Sequence, residues 1–129
     1  NAMWARRHGT KYNGAPYIIQ RAGEAVYSKE GKEQLKKQVA YYKQNAKVIY
    51  EGLKDCGYEV FGGVNAPYIW VKTPNNMPSW DFFDYLLDKA NIVSTPGAGF
   101  GPSGEGYLRL TAFNTYENTV AAIERIKKM

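Results

Sequence analysis

One arginine in this sequence has neighbours that give it a chemical purpose. Arg109 stands between Leu108 and Leu110, just after the loop Thr95-Pro96-Gly97-Ala98-Gly99-Phe100-Gly101-Pro102-Ser103-Gly104-Glu105-Gly106. Successive side chains on a strand point to opposite faces, so Arg109 opposes the face that carries the two leucines. If those leucines enter a core, the guanidinium sits on the outer surface as a rigid planar fork. That fork matches a carboxylate through two parallel hydrogen bonds. A plain surface arginine on a half-exposed strand fits the same pattern, and on the pattern alone both readings stay open.

Other chemistry is thin. Gly99-Phe100-Gly101-Pro102-Ser103-Gly104 matches G-x-G-x-x-G, but a dinucleotide fingerprint must close a strand and open a helix. Here Pro102 interrupts the loop and a strand follows, so that reading is rejected; no P-loop lysine is present either. His8, the single histidine, has no ligand-type neighbour at metal spacing and reads as a surface residue. Cys56, the single cysteine, precedes Gly57 at an expected helix end and reads as a buried structural thiol. It has no partner for an internal disulfide, which, with no signal peptide in view, points to a reducing cytoplasm.

The 129 residues are 44% hydrophobic and 22% charged, the balance of one soluble domain able to bury a core. No apolar run is long enough to span a membrane. The net charge of +5 does not mark a nucleic-acid protein. Much of the excess, including Lys29, Lys32, Lys36, Lys43 and Lys47, lies along one helical segment and reads as a solvated face. Asn1-Ala2-Met3 reads as the remnant of a cleaved tag and is set aside, leaving residues 4–129. The abrupt opening after it, closed by the turn pair Asn13-Gly14, fits a piece of something longer.

The elements that must position Arg109 follow in order. Pro16 opens a helix to about Tyr27, and Ser28 caps the next. Leu35, Val39, Tyr42, Ala46, Ile49 and Leu53, spaced by four, three, four, three and four, make one apolar stripe that Gly57 terminates. Tyr58–Phe61 and Ala66–Lys72 read as a hairpin-like strand pair around Gly62-Gly63. Ser79 is expected to cap a helix with Phe82, Phe83, Leu86, Leu87 and Ala90 inward. Ile92-Val93 reads as a strand before the glycine loop, and Asn114 with Glu117 resembles a capping box for the last helix. The order α, α, β, β, α, β, β, α describes an α+β domain, a small sheet covered by helices.

Several segments together resemble the class I/II aminotransferases, which are pyridoxal-phosphate enzymes. Thr95-Pro96-Gly97-Ala98-Gly99-Phe100-Gly101 continuing into Gly104-Glu105-Gly106-Tyr107-Leu108-Arg109-Leu110 is shared by many aminotransferases of that fold. Asn65-Ala66-Pro67-Tyr68-Ile69-Trp70 and Ser79-Trp80-Asp81-Phe82-Phe83 are narrower and resemble the LL-diaminopimelate aminotransferase branch, as do Thr10–Gly14 and Gln20–Tyr27. The resemblance runs nearly the whole length from Trp4 onward.

It implies the C-terminal, small domain of a fold-type I transferase: a small mixed sheet covered by helices, with the long helix linking to a large catalytic domain that is missing here. It further implies that Arg109 binds the substrate α-carboxylate. The resemblance also implies that Asn13 lies near cofactor and substrate and reaches into the neighbouring subunit of a homodimer. The family's Schiff-base lysine, in a Ser-x-Ser-Lys context, is not in this sequence, and Lys11 beside Tyr12-Asn13 does not replace it. The expectation is therefore a piece inactive alone, from a cytoplasmic enzyme of lysine biosynthesis acting on an amino acid and a 2-oxo acid. Neither nucleic acid nor membrane is an expected partner. Two alternatives remain: another class I aminotransferase, for aspartate, alanine or aromatic substrates, or a non-catalytic interaction domain derived from one.

Overall fold

The computed structural model describes all 129 residues, which divide into two compact units, Asn1–Gln38 and Val39–Met129. The first unit holds helices α1 (Ala2–Lys11) and α2 (Tyr17–Val26) and the start of α3 (Lys29–Asp55). Helix α1 departs from expectation, and it begins within the three residues set aside as a tag. Its Ala-Met-Trp-Ala-Arg-Arg start favours helix by intrinsic propensity, a signal lost once the first three residues are discounted. It ends where Tyr12 and Asn13 both donate their backbone N–H to His8 O and Asn13 turns to φ +48°.

The turn from α2 to α3 is tight. Ser28 Oγ accepts from Gly31 N–H at 3.0 Å, the expected cap, and donates to Ala25 O at 2.7 Å. Gly31, out of place by propensity early in a helix, has a steric reason: a Cβ there would lie 2.3 Å from Ala25 O. Neither α1 nor α2 has a buried residue, and within α3 burial begins at Asn45.

The second unit is the α+β domain. Strands β1 (Val60–Gly62), β2 (Tyr68–Lys72), β3 (Thr95–Pro96) and β4 (Tyr107–Thr111) form one sheet in the order β1-β2-β4-β3. Every neighbouring pair is antiparallel, so the mixed sheet expected from the family resemblance is corrected. The reason is topological. Helix α4 (Ser79–Ala90) carries the chain from β2 to β3 one place away, and β4 then fills the gap antiparallel to both. The expected hairpin of β1 and β2 is present, turned by Gly62 and Gly63 at φ +83° and +78°.

Ile69, Val71, Leu108 and Leu110 form the inner face of this sheet. They join Ala46, Ile49 and Leu53 of α3, Phe82, Leu86 and Ala90 of α4, and Ile123 and Ile126 of α5 (Tyr116–Ile126). Burying each large side chain of this set favours folding by about 2 kcal/mol. Asn45, wholly buried, donates to Ala112 O at 3.1 Å and Asn114 O at 2.7 Å, tying α3 to the end of β4. Gly52 lets α3 meet α5 closely, since a Cβ there would lie 2.3 Å from Ile123 Cγ2.

Three local expectations are corrected. Ile92-Val93 is not a strand: Asn91 turns to φ +51°, and Ile92 N–H reaches back to Leu86 O at 3.3 Å, so both complete the C-terminal cap of α4. The strand is Thr95–Pro96, and a proline is tolerated at that sheet edge. The cap of α5 is Thr115, which accepts from Asn118 N–H at 3.2 Å, while Asn114 Oδ1 serves Thr115 N–H and Asn118 Nδ2. Ser79 is the first residue of α4 rather than its cap, a position that Pro78 occupies.

Candidate functional site: an unpartnered guanidinium on an aromatic sheet face

The outer face of the sheet is set by its register. Trp70 pairs with both Phe61 and Arg109, Tyr68 with Thr111, and Lys72 with Tyr107. Because Leu108 and Leu110 are buried, Arg109 points outward, as the alternation requires. Its Cζ lies 4.6 Å from the Tyr68 ring centre and 4.4 Å from that of Phe100. Phe100 comes from the short 3-10 turn Gly97–Phe100 and also meets Trp70 edge-on, with ring centres 5.3 Å apart. A cation against aromatic faces is attracted to them, and a stacked guanidinium keeps its in-plane N–H groups for an acceptor.

No acceptor is present within the chain. Arg109 Nε is buried and makes no hydrogen bond, and no carboxylate pairs with the guanidinium. Leaving such a donor unmet is unfavourable, and an anion placed there would supply the missing acceptor. Arg109 is half-buried and lies against two rings. The other cation on this face, Lys72, is ion-paired with Glu59 at 3.0 Å, which raises its pKa.

Asn13 belongs to the first unit. It stands in an exposed turn with Gly14 at φ +89°, and its side chain makes no hydrogen bond. His8 is exposed as expected; Cys56 is free and half-buried against the core rather than fully buried. Tyr68 and Phe100 stand in the motifs above, which assign neither a role. The alternation in Tyr68-Ile69-Trp70-Val71 held the signal for Tyr68, but Phe100 meets Arg109 only through the fold.

The residues fit the cofactor implied by the sequence only in part. The bare guanidinium suits the carboxylate of a substrate. The one lysine on the Arg109 face, Lys72, is engaged by Glu59. On this face Arg109 has the chemistry for a carboxylate, and Lys72, paired with Glu59, is not free to form an imine.

Comparisons with known proteins identify the family. The family described as aminotransferase class I and II matches residues 3–126. The chain is 73% identical over all its residues to an LL-diaminopimelate aminotransferase of Agathobacter rectalis, covering 32% of that protein, and 71% identical to one of Lachnospira eligens, again covering 32%. The structure of L,L-diaminopimelate aminotransferase from Chlamydomonas reinhardtii superimposes with a TM-score of 0.93 at 42% identity, over 98% of this chain and 31% of that one. An aromatic aminotransferase from Pyrococcus horikoshii gives 0.77 at 25% identity, over 83% and 29%. The chain spans about a third of the length of the curated relatives it matches. No helix is long and apolar enough to cross a membrane. Enzymes of this class use pyridoxal phosphate and act on small molecules, and the chain belongs to the class I and II aminotransferase family.

Proposed function

We propose that this chain supplies the carboxylate-binding side of an aminotransferase active site. The whole protein would move an amino group between LL-diaminopimelate and 2-oxoglutarate in lysine biosynthesis, in the cytoplasm. The observation that carries the reading is the Arg109 guanidinium, fixed against Tyr68 and Phe100 with no acceptor of its own. Both the amino acid and the 2-oxo acid of a transamination carry an α-carboxylate, so one arginine serves both half-reactions. A bidentate grip also fixes the orientation of the neighbouring carbon, where the amino group leaves or arrives. The diaminopimelate assignment draws on relatives at 71–73% identity, against 25% for the aromatic enzyme.

In this reading residues 4–129 are a small domain with its linking helix, and the groups that hold the cofactor belong to the rest of the protein. Asn13, projecting from its exposed turn, would contribute to the partner subunit's site in a homodimer. The chain by itself would be inactive.

Reconstitution tests this. The chain is refolded with a separately made segment carrying the Schiff-base lysine, pyridoxal phosphate is supplied, and 2-oxoglutarate-dependent loss of LL-diaminopimelate is followed. Activity should need both pieces and fall by about a hundredfold or more in Arg109→Ala, as expected when a group that orients substrate is lost. A correctly folded mixture with no activity, or one indifferent to Arg109→Ala, refutes the reading.

A further inference from the structure

Glu105 has no part in the reading above, yet it is the carboxylate built into the loop that precedes Arg109. Its Oε1 accepts from Ser79 N–H at 2.7 Å, from Ser79 Oγ at 3.0 Å and from Gly106 N–H at 3.1 Å. Gly106 N–H is also 3.1 Å from Ser79 Oγ, and Ser79 is wholly buried. The first turn of a helix leaves backbone N–H groups unmet and favours negative charge. Pro78, at the cap position of α4, offers no side-chain acceptor. Glu105 supplies that acceptor from another part of the chain, and for this reason Ser79 does not cap its own helix. The N–H groups of Ser79 and Gly106 hold the Glu105 carboxyl below its usual pKa.

The same contacts fix what lies on both sides of Glu105. After it, the Gly106 carbonyl accepts from Thr73 N–H at 2.9 Å and Thr73 Oγ1 at 3.1 Å, and Gly106 takes φ +79° to launch β4. Arg109 is the third residue of that strand. Before it, the Gly104 backbone lies against Gly97, so closely that a Cβ on either would come within 2.0 Å of the other's carbonyl oxygen. Gly97 opens the turn that carries Phe100. One carboxylate thus secures the start of the strand that holds Arg109 and the loop whose ring packs on it.

We infer that Glu105 is a positioning residue for carboxylate recognition: by bridging Ser79 and Gly106 it holds Arg109 and Phe100 in the arrangement that receives an anion. The inference rests on Arg109 being the carboxylate-binding group. It is tested on the 129-residue chain by NMR, following the Arg109 Nε–Hε signal while 2-oxoglutarate is added. In the unchanged chain the signal should respond, and the response should be lost in Arg109→Ala. Glu105→Ala should weaken the apparent affinity about tenfold and sharpen the Arg109 signal as the side chain gains motion. Glu105→Gln keeps the accepting oxygen and should stay within about twofold of the unchanged chain. A purely structural role would lower the melting temperature in Glu105→Ala and leave affinity intact, which overturns the inference. Should Glu105→Ala not fold, Glu105→Asp, one methylene too short to span Ser79 and Gly106, carries the same expectation, and full affinity there overturns it. Failure of the unchanged chain to respond refutes the Arg109 reading itself, a result distinct from a response that Glu105 substitutions leave alone.

Discussion

Residues 1–38 and 39–129 are both rich in apolar side chains, and they use them in opposite ways. In the second region Phe82, Ile69, Leu108 and Ala112 are at most 1% exposed. In the first, Tyr17 and Ile18 are 74% and 73% exposed, and no residue is buried. Helix α3 passes through both regions and carries a single apolar stripe, yet Leu35 is exposed while Ile49 and Leu53 are buried. Hydrophobic periodicity therefore tells which face of a helix is apolar, not whether anything covers it. The first region is organised by local contacts such as the Ser28 cap and the Gly31 turn; the second is organised by long-range packing.

The largest effect should come from the core of the second region. Phe82→Ala removes a ring that is 1% exposed and should lower unfolding stability by about 4 kcal/mol, read from urea denaturation. A loss under 1 kcal/mol would mean that the core around α4 is looser than its burial indicates. The counterpart in the first region is Gly31→Ala. Its new Cβ meets backbone Ala25 O, which cannot move aside as a side-chain tip would, and a cost of about 1–3 kcal/mol falls on the turn between α2 and α3. Far-UV circular dichroism should record lost helix while the urea midpoint of the core stays in place. A fall in that midpoint would show that the two regions unfold together.

Acid sharpens the same contrast. The folded-state pKa of Glu105 is depressed by the N–H groups of Ser79 and Gly106, so its contribution to stability is fully present above the unfolded value, about 4.3. It is lost as pH falls through the lower, folded value. The melting temperature of the unchanged chain should drop across that window, and Glu105→Gln should remove that part of the slope. An identical acid profile in both proteins would show that the carboxylate is not held as the geometry has it.

Much of this second region was legible in the sequence. The alternation around Arg109, the stripe of α3, the Gly62-Gly63 hairpin and the helix from Ser79 each rest on a local pattern that tertiary packing reinforces. The misplacements share a cause. Ile92 reads as a strand residue because it stands in a short apolar run, but its backbone N–H completes the cap of α4 while its side chain joins the core. Asn114 and Ser79 are residue types that cap helices, and in each case a neighbour or a distant carboxylate took that role. The site was half legible: Arg109 could be singled out from alternation and its loop. Tyr68 and Arg109, and Ser79 and Glu105, come from segments far apart in the chain, while Phe100 reaches Arg109 from the preceding loop through a 3-10 turn, and no local pattern encodes these contacts.

The smallest expected effect tests the comparison most directly. Leu35 and Ile49 lie on the same stripe of the same helix, 46% and 6% exposed. Ile49→Ala should cost about 3 kcal/mol, because a buried side chain is removed from a packed core. Leu35→Ala should stay within about 0.5 kcal/mol in this chain, since little burial is lost and alanine is the better helix former. Equal costs at the two positions would mean that the stripe is covered along its whole length in solution and that the division near Gln38 is not a division of stability. A near-zero cost at Leu35 alongside a large one at Ile49 would show that the first half of the stripe contributes nothing to this chain's own folding.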